Sequence, residues 1–235
     1  MQLGILMAGR FMEELAQDHG QTDVQIASYL EQAGTGFSFK SYATCDGELP
    51  QSLDECDGYI ISGSAHGAYD DLDWFPSLFS FIRQAAKRGP KLFGICFGHQ
   101  AIAMALGGRV EKAAVGWGMG VHTYEILQPA PWMTPATSGL SLLVSHQDQV
   151  LEAPPGAVIH ASSAFCPIAS LSLGSNIFTL QPHPEHRPEL TRALATRRRE
   201  RLGEARADKA IASLGQPTDE QAVAGWIKNF FEECR

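Results

Sequence analysis

Residues 91–100, Lys91-Leu-Phe-Gly-Ile-Cys-Phe-Gly-His-Gln100, run an apolar segment straight into a glycine-flanked cysteine. Lys91–Ile95 reads as a buried strand, and helical spacing follows at once to Leu106, closed by Gly107-Gly108. A strand that turns into a helix at Gly-x-Cys-x-Gly is the cysteine form of a nucleophile elbow. Gly94 and Gly98 lack side chains, which lets strand and helix approach closely. Cys96 is then expected at a helix N-terminus, where the partial positive charge favours thiolate over thiol. The backbone N–H of Phe97 is expected to face a developing oxyanion. By itself the pattern also fits a buried structural cysteine beside packing glycines, so the reading needs a base from elsewhere in the chain.

Thr179-Leu-Gln-Pro-His-Pro-Glu-His186 offers one. Pro182 and Pro184 disfavour helix around His183 and keep the backbone extended. In extended chain, residues i and i+2 project to the same side, so Glu185 can orient the His183 imidazole and stabilise its protonated form. The spacing and Pro184 exclude helical metal ligation of the His-Glu-x-x-His kind, and neither a metal nor a cofactor is expected.

Outward from these two segments, strand-like and helix-like stretches alternate, as in a parallel sheet flanked by helices. Strands are expected at Leu3–Met7, Phe37–Ala43 and Tyr59–Ser62, and helices at Asp23–Gln32 and Trp74–Arg88. From Val121 to Leu180 short β-prone stretches (Val121–Leu127, Leu140–Val144, Val158–Ala161, Ile177–Leu180) lie between Pro- and Gly-rich turns. Helices are expected over Pro188–Ser213 and Thr218–Glu233, the second with Thr218 and Gln221 as a capping box. The run Arg197, Arg198, Arg199, Arg201, Arg206 is interleaved with acids and reads as a solvated helix face. Gly116-Trp-Gly-Met-Gly120 follows no clear strand and opens no helix, which argues against a nucleotide loop.

Composition narrows the function. The chain has 235 residues, 44% of them hydrophobic, with 26 acidic against 18 basic side chains and a net charge of −8. That is enough for one sizeable core, and a single domain over 1–235 is expected, with a helical extension from about 188. Acidic balance argues against a general nucleic-acid binder. No apolar run approaches the ~20 residues of a membrane span, and the N-terminus reads as a first strand rather than a signal peptide. Five scattered cysteines (Cys45, Cys56, Cys96, Cys166, Cys234) without zinc-ligand spacing fit a reduced, cytoplasmic setting.

Gly-Ile-Cys-Phe-Gly-His-Gln and Gln-Pro-His-Pro-Glu-His resemble, in this order, the two active-site signatures of class I glutamine amidotransferases. Tyr59-Ile-Ile-Ser-Gly-Ser-Ala-His-Gly-Ala-Tyr-Asp-Asp71 is similar to the family's oxyanion strand and loop, and Val144-Ser-His-Gln-Asp-Gln-Val150 to the segment that holds the substrate's α-amino and α-carboxylate groups. The resemblance covers about residues 3 to 185 and looks most like free-standing members similar to the amidotransferase domain of GMP synthase. It implies a flavodoxin-like α/β fold: an open, mostly parallel sheet with helices on both faces and Cys96 at the carboxyl end of a central strand. It further implies Cys96, His183 and Glu185 as catalytic residues, Gly63 and Phe97 as oxyanion donors, and Gln100, Ser145 and His146 as substrate contacts. Ala65-His66 stands where the family loop often has proline. His66, His99, His122, His160 and His186 are read as structural or peripheral.

The implied reaction is hydrolysis of the γ-carboxamide of glutamine through a Cys96 thioester, releasing glutamate and ammonia. The ammonia would go to a synthetase partner subunit, since no acceptor domain follows in this sequence. Two alternatives stand beside it: a γ-glutamyl peptidase using the same residues, and a non-catalytic regulatory module on the same fold.

Overall fold

In the computed structural model, residues 1–233 are described, apart from the side chain of Arg88; Cys234 lies outside them. The chain runs β1 (Gln2–Leu6), α1 (Glu13–His19), α2 (Thr22–Gln32), β2 (Ser38–Tyr42), β3 (Gly58–Ile61), α3 (Phe75–Arg88), β4 (Lys91–Ile95) and α4 (Phe97–Ala105). It continues through β5 (Arg109–Lys112), β6 (Gly118–Ile126), β7 (Gly139–His146), β8 (Asp148–Glu152), β9 (Val158–Ser162), β10 (Ser170–Leu173) and β11 (Ile177–Leu180). Four helices follow: α5 (Pro188–Arg197), α6 (Arg199–Leu202), α7 (Glu204–Ser213) and α8 (Glu220–Glu232).

The main sheet has nine strands in the order β2-β1-β3-β4-β11-β10-β9-β6-β7. Ladders are parallel from β2 through β11 and antiparallel from β11 out to β7. Strands β3, β4 and β11 are buried along their whole length, as expected where helices cover both faces. Alternation along the strands divides the core in two. Ile60, Phe93 and Phe178 meet Leu30 of α2 and Trp226 and Phe230 of α8 on one face. Tyr59, Leu92 and Ile177 meet Leu78 and Ile82 of α3 and Ile102 of α4 on the other. The expected architecture holds, and β4 lies between β3 and β11 in its middle.

The expected C-terminal helix Pro188–Ser213 is three helices, broken at Arg198 and at Gly203, whose φ of 81° no helix interior allows. The capping box does not form: α8 starts at Glu220, and the Thr218 hydroxyl bonds the Glu220 carboxylate instead. Asp219 is used otherwise. Its carboxylate accepts the Ser141 N–H at 2.7 Å and its own N–H donates to the Ser141 carbonyl at 2.8 Å, which docks α8 on β7. Gly118, Met119 and Gly120 lie inside β6, which disposes of a nucleotide loop there. Among the described residues, no helix is long and apolar enough to cross a membrane.

Candidate active site

Cys96 sits between the last residue of β4 and the first of α4, with φ 51° and ψ −100°. It is the one non-glycine residue with positive φ among the described residues, a conformation that costs of order 1–3 kcal/mol. Its surroundings impose that geometry. The Cys96 N–H donates to the Leu180 carbonyl at 2.8 Å, and its carbonyl accepts the Gln100 N–H at 3.1 Å. A side chain at Gly94 would press on the Gly98 backbone 2.7 Å away, and one at Gly98 would be driven into the Ile61 carbonyl oxygen. Strand, turn and helix therefore close only around these two glycines. Phe97 opens α4, so its N–H is among those that no helical carbonyl can accept.

The neighbouring parallel strand β11 delivers His183. Its N–H is pinned to the Leu143 carbonyl at 2.8 Å, and its Nδ1 bonds the Glu185 carboxylate at 2.7 Å, with both side chains buried. The i, i+2 geometry expected from the two prolines is thus realised. With Nδ1 engaged on Glu185, Nε2 is the ring atom left to serve the Cys96 thiol. Burial opposes charge on the imidazole, but the Glu185 carboxylate and Cys96 outweigh it and raise the His183 pKa. From the other side, a Cβ at Gly63 would lie 2.9 Å from His183 Cε1 and 3.7 Å from Cys96 Cβ. The Ser62 hydroxyl fixes that peptide by donating to the Gly63 carbonyl and accepting the Ala8 N–H, each at 3.0 Å. A thiol at a helix N-terminus and an imidazole backed by a carboxylate form an arrangement that can carry out acyl transfer.

Residues 15–198 match the protein family described as Glutamine amidotransferase class-I. The chain belongs to that family. Gamma-glutamyl peptidase 3 of Arabidopsis thaliana is 32% identical over 179 residues, which cover 73% of this chain and 71% of the relative. The glutamine-hydrolysing GMP synthase of Limosilactobacillus reuteri is 35% identical over 132 residues, covering 55% of this chain and 24% of that one. A crystal structure of a glutamine amidotransferase from Thermotoga maritima superimposes with a TM-score of 0.77, covering 99% of this chain and 96% of that one, at 19% identity. The family is one of hydrolases and amidotransferases, and the expected fold is its fold.

Within this amidotransferase frame the three expected substrate contacts fare differently. Gln100 is buried beside Cys96, but its amide hydrogens go to the Asp148 carbonyl at 2.9 Å and to Gln181 Oε1 at 3.0 Å, leaving its oxygen for a ligand. Ser145 accepts a hydrogen bond from the Arg198 guanidinium at 2.6 Å. His146 donates to or accepts from its neighbourhood only through Nδ1, which meets the Asp148 carbonyl at 3.1 Å; its buried Nε2 has no partner. Because a carbonyl only accepts, Nδ1 carries the hydrogen, and burial pushes the His146 pKa down to about 3. His99, held by Thr179 and the Ile168 carbonyl, is a neutral packing histidine whose burial lowers its pKa to about 4.

Two residues at the site were not singled out from the sequence. His186, expected to be peripheral, stacks directly on His183. Arg198, expected on a solvated face, turns inward to Ser145, while Arg197 pairs with Glu14 and Arg199 with Glu204 and Asp208 as that reading required. The break between α5 and α6 is what points Arg198 at the cleft. A strictly helical pattern could not show it.

Two cavities meet at the site. One, of about 240 Å³, contains Cys96, Gln100, His146 and Asp148. The other, of about 320 Å³, contains Gly63 and His183 and has Phe11, Leu15 and Leu194 on its walls. Ser64, Ala65, Ser145 and Arg198 line both. His183, Glu185 and His186 bring ligand-type atoms within 4.8 Å of one another. The two imidazoles are stacked 7° from parallel, so their in-plane lone pairs do not converge on a common point, and the arrangement suits a base better than a metal.

Proposed function

We propose that this chain is a γ-glutamyl hydrolase of the peptidase kind, which uses Cys96 as nucleophile and expels an amine larger than ammonia. The observation that carries this reading is the second cavity. Ammonia is about the size of water, which occupies about 30 Å³ in the liquid, whereas the space beside His183 is about 320 Å³. The similarity to Gamma-glutamyl peptidase 3 supports the same choice.

The Cys96 thiolate attacks the γ-carbonyl of a glutamyl residue lying in the cavity with Gln100 and His146. The N–H groups of Phe97 and Gly63 take the tetrahedral oxyanion, a contribution of roughly 10²–10³ in rate per donor at comparable sites. His183, protonated and held by Glu185, gives its proton to the departing amine, which leaves through the second cavity. Neutral again, it takes a proton from water as that water attacks the thioester. Glutamate departs and the thiolate is restored.

A survey of leaving groups tests this. Glutamate release is measured from glutamine and from γ-glutamyl amino acids and peptides. The peptidase reading expects a higher kcat/KM for the γ-glutamyl peptides. Preferential hydrolysis of glutamine restores the second reading, a glutaminase feeding ammonia to a synthetase subunit, which the likeness to GMP synthase favours.

A further inference from the structure

Arg198 is a half-buried cation with no carboxylate of its own. Among the described residues it makes no ion pair, and its guanidinium donates to a neutral acceptor, Ser145 Oγ, at 2.6 Å. The other cations nearby raise its need for an anion rather than meet it. Arg198 and Arg201 both lie over the Trp117 ring, at 5.4 and 4.7 Å from its centroid, so two like charges share one aromatic platform. Arg201 and Lys112 have Asp148 to face, whose carboxylate feels both charges. Burial and the charge of Arg201 both act against the charge of Arg198, and an anion beside it would offset them.

Its position narrows which anion it could bind. Arg198 lines both cavities; in the one beside His183, where the expelled amine departs, Arg10 and Arg197 lie at the rim, paired with Asp46 and Glu14, while Phe11 and Leu194 supply apolar wall. The acid that lines that cavity is Glu185, whose Oε1 is bonded to His183 and whose Oε2 is buried out of reach of solvent. A leaving amino acid or peptide has the complementary form: an apolar side chain and a carboxylate a few bonds from the nitrogen that His183 protonates. A planar guanidinium binds a carboxylate through two parallel hydrogen bonds.

We infer that Arg198 is the carboxylate-binding residue for the leaving group, and that the protein selects γ-glutamyl amino acids and peptides with a free carboxylate over their neutral amides. The inference rests on the γ-glutamyl hydrolase reading, and its test separates the two.

The first arm needs no turnover. Cys96 is alkylated with iodoacetate and with iodoacetamide, reagents of nearly the same size that differ in charge, and the rate ratio is compared between the native protein and Arg198→Gln. A charge interaction at close range in a partly buried site predicts a fall in the iodoacetate-to-iodoacetamide ratio of about tenfold or more. Arg198→Lys should recover part of it, and circular dichroism checks that both variants fold. An unchanged ratio, with both rates reduced together, means that Arg198 serves the thiolate alone and overturns the proposal. The second arm compares kcat/KM for γ-glutamylleucine and γ-glutamylleucinamide. Arg198→Gln should cost the acid at least about tenfold more than the amide. Equal losses would place the anion site under the glutamyl moiety and overturn the leaving-group assignment. Should the native protein hydrolyse neither compound, the hydrolase reading fails while the first arm still reports the anion site.

Discussion

The imidazole of His186 lies flat on that of His183, with ring centroids 3.8 Å apart and planes 7° from parallel. Burial, together with the charges of His183 and Arg198, pushes the His186 pKa well below its ordinary value. The ring is therefore neutral and can cover an imidazolium without repelling it. Glu185 fixes His183 in its plane, and His186 fixes that plane.

Replacing His186 by Ala should lower kcat about tenfold, since orientation of the base is lost. His186→Phe, which keeps a flat ring, should retain most of the rate. Steady-state kinetics on both variants check this. Equal losses would show that the stack does not position the base.

Gly63 and Gly98 are both glycines of close approach, yet they should fail differently. A methyl group at Gly63 would lie 2.9 Å from His183 Cε1 and push on the base. Gly63→Ala should lose about 10²-fold in kcat while the Tm stays near the native value, because a displacement of about 1 Å at the reacting groups carries that cost. At Gly98 the methyl would enter the Ile61 carbonyl, between sheet and helix. Gly98→Ala should cost about 1–3 kcal/mol of stability, read from a urea midpoint. A stable Gly98→Ala protein would mean that α4 can shift without consequence.

Much of this was legible because the informative residues are local. Lys91–Gln100 carries strand, turn and helix in ten consecutive positions, and Pro-His-Pro-Glu fixes its own extended backbone, so the elbow and the His183–Glu185 pair could be placed from the chain alone. What escaped was set by distant contacts. The pair β5 and β8 owes its form to pairing between Arg109–Lys112 and Asp148–Glu152, far apart in sequence. Strand β10 has only Ser170–Leu173 and alternates too briefly to declare itself. Short α1 offers one buried residue, Leu15. Arg198 is one charge in a charged run, and only the break between α5 and α6 separates it from its exposed neighbours. His186 looked like a third, spare residue of a motif already satisfied.

The raised His183 pKa has a consequence with a definite sign. Because Glu185 and Cys96 outweigh burial, the imidazolium persists through neutral pH and is lost only as pH rises through the elevated folded value. Its contribution to stability is likewise fully present below the unfolded value of about 6.5 and disappears on the alkaline side. kcat/KM should therefore hold above pH ~6.5 and decline on an alkaline limb. In Glu185→Gln that limb should move to lower pH. A limb that stays in place would remove Glu185 from the proton balance.

His183 and Glu185 should also separate by magnitude. His183→Ala removes the group that serves both proton transfers and should abolish measurable turnover and slow alkylation of Cys96. Glu185→Gln should retain more activity, since the carboxylate orients and polarises without exchanging protons. Initial rates on the two folded variants decide it. Equal losses would contradict this division of roles.

The central claim is that the γ-glutamyl group passes through a covalent bond to Cys96. Other thiols are poorly suited: burial pushes Cys166 up to about 12, and burial with the charge of Asp46 raises Cys45. The protein is mixed with a γ-glutamyl peptide, quenched in acid within the first turnovers, digested and mapped by mass spectrometry. The expected result is a γ-glutamyl mass on the peptide containing Cys96, removed by hydroxylamine, and neither adduct nor turnover in Cys96→Ala. Turnover by Cys96→Ala, or a γ-glutamyl group found on another residue, would contradict it.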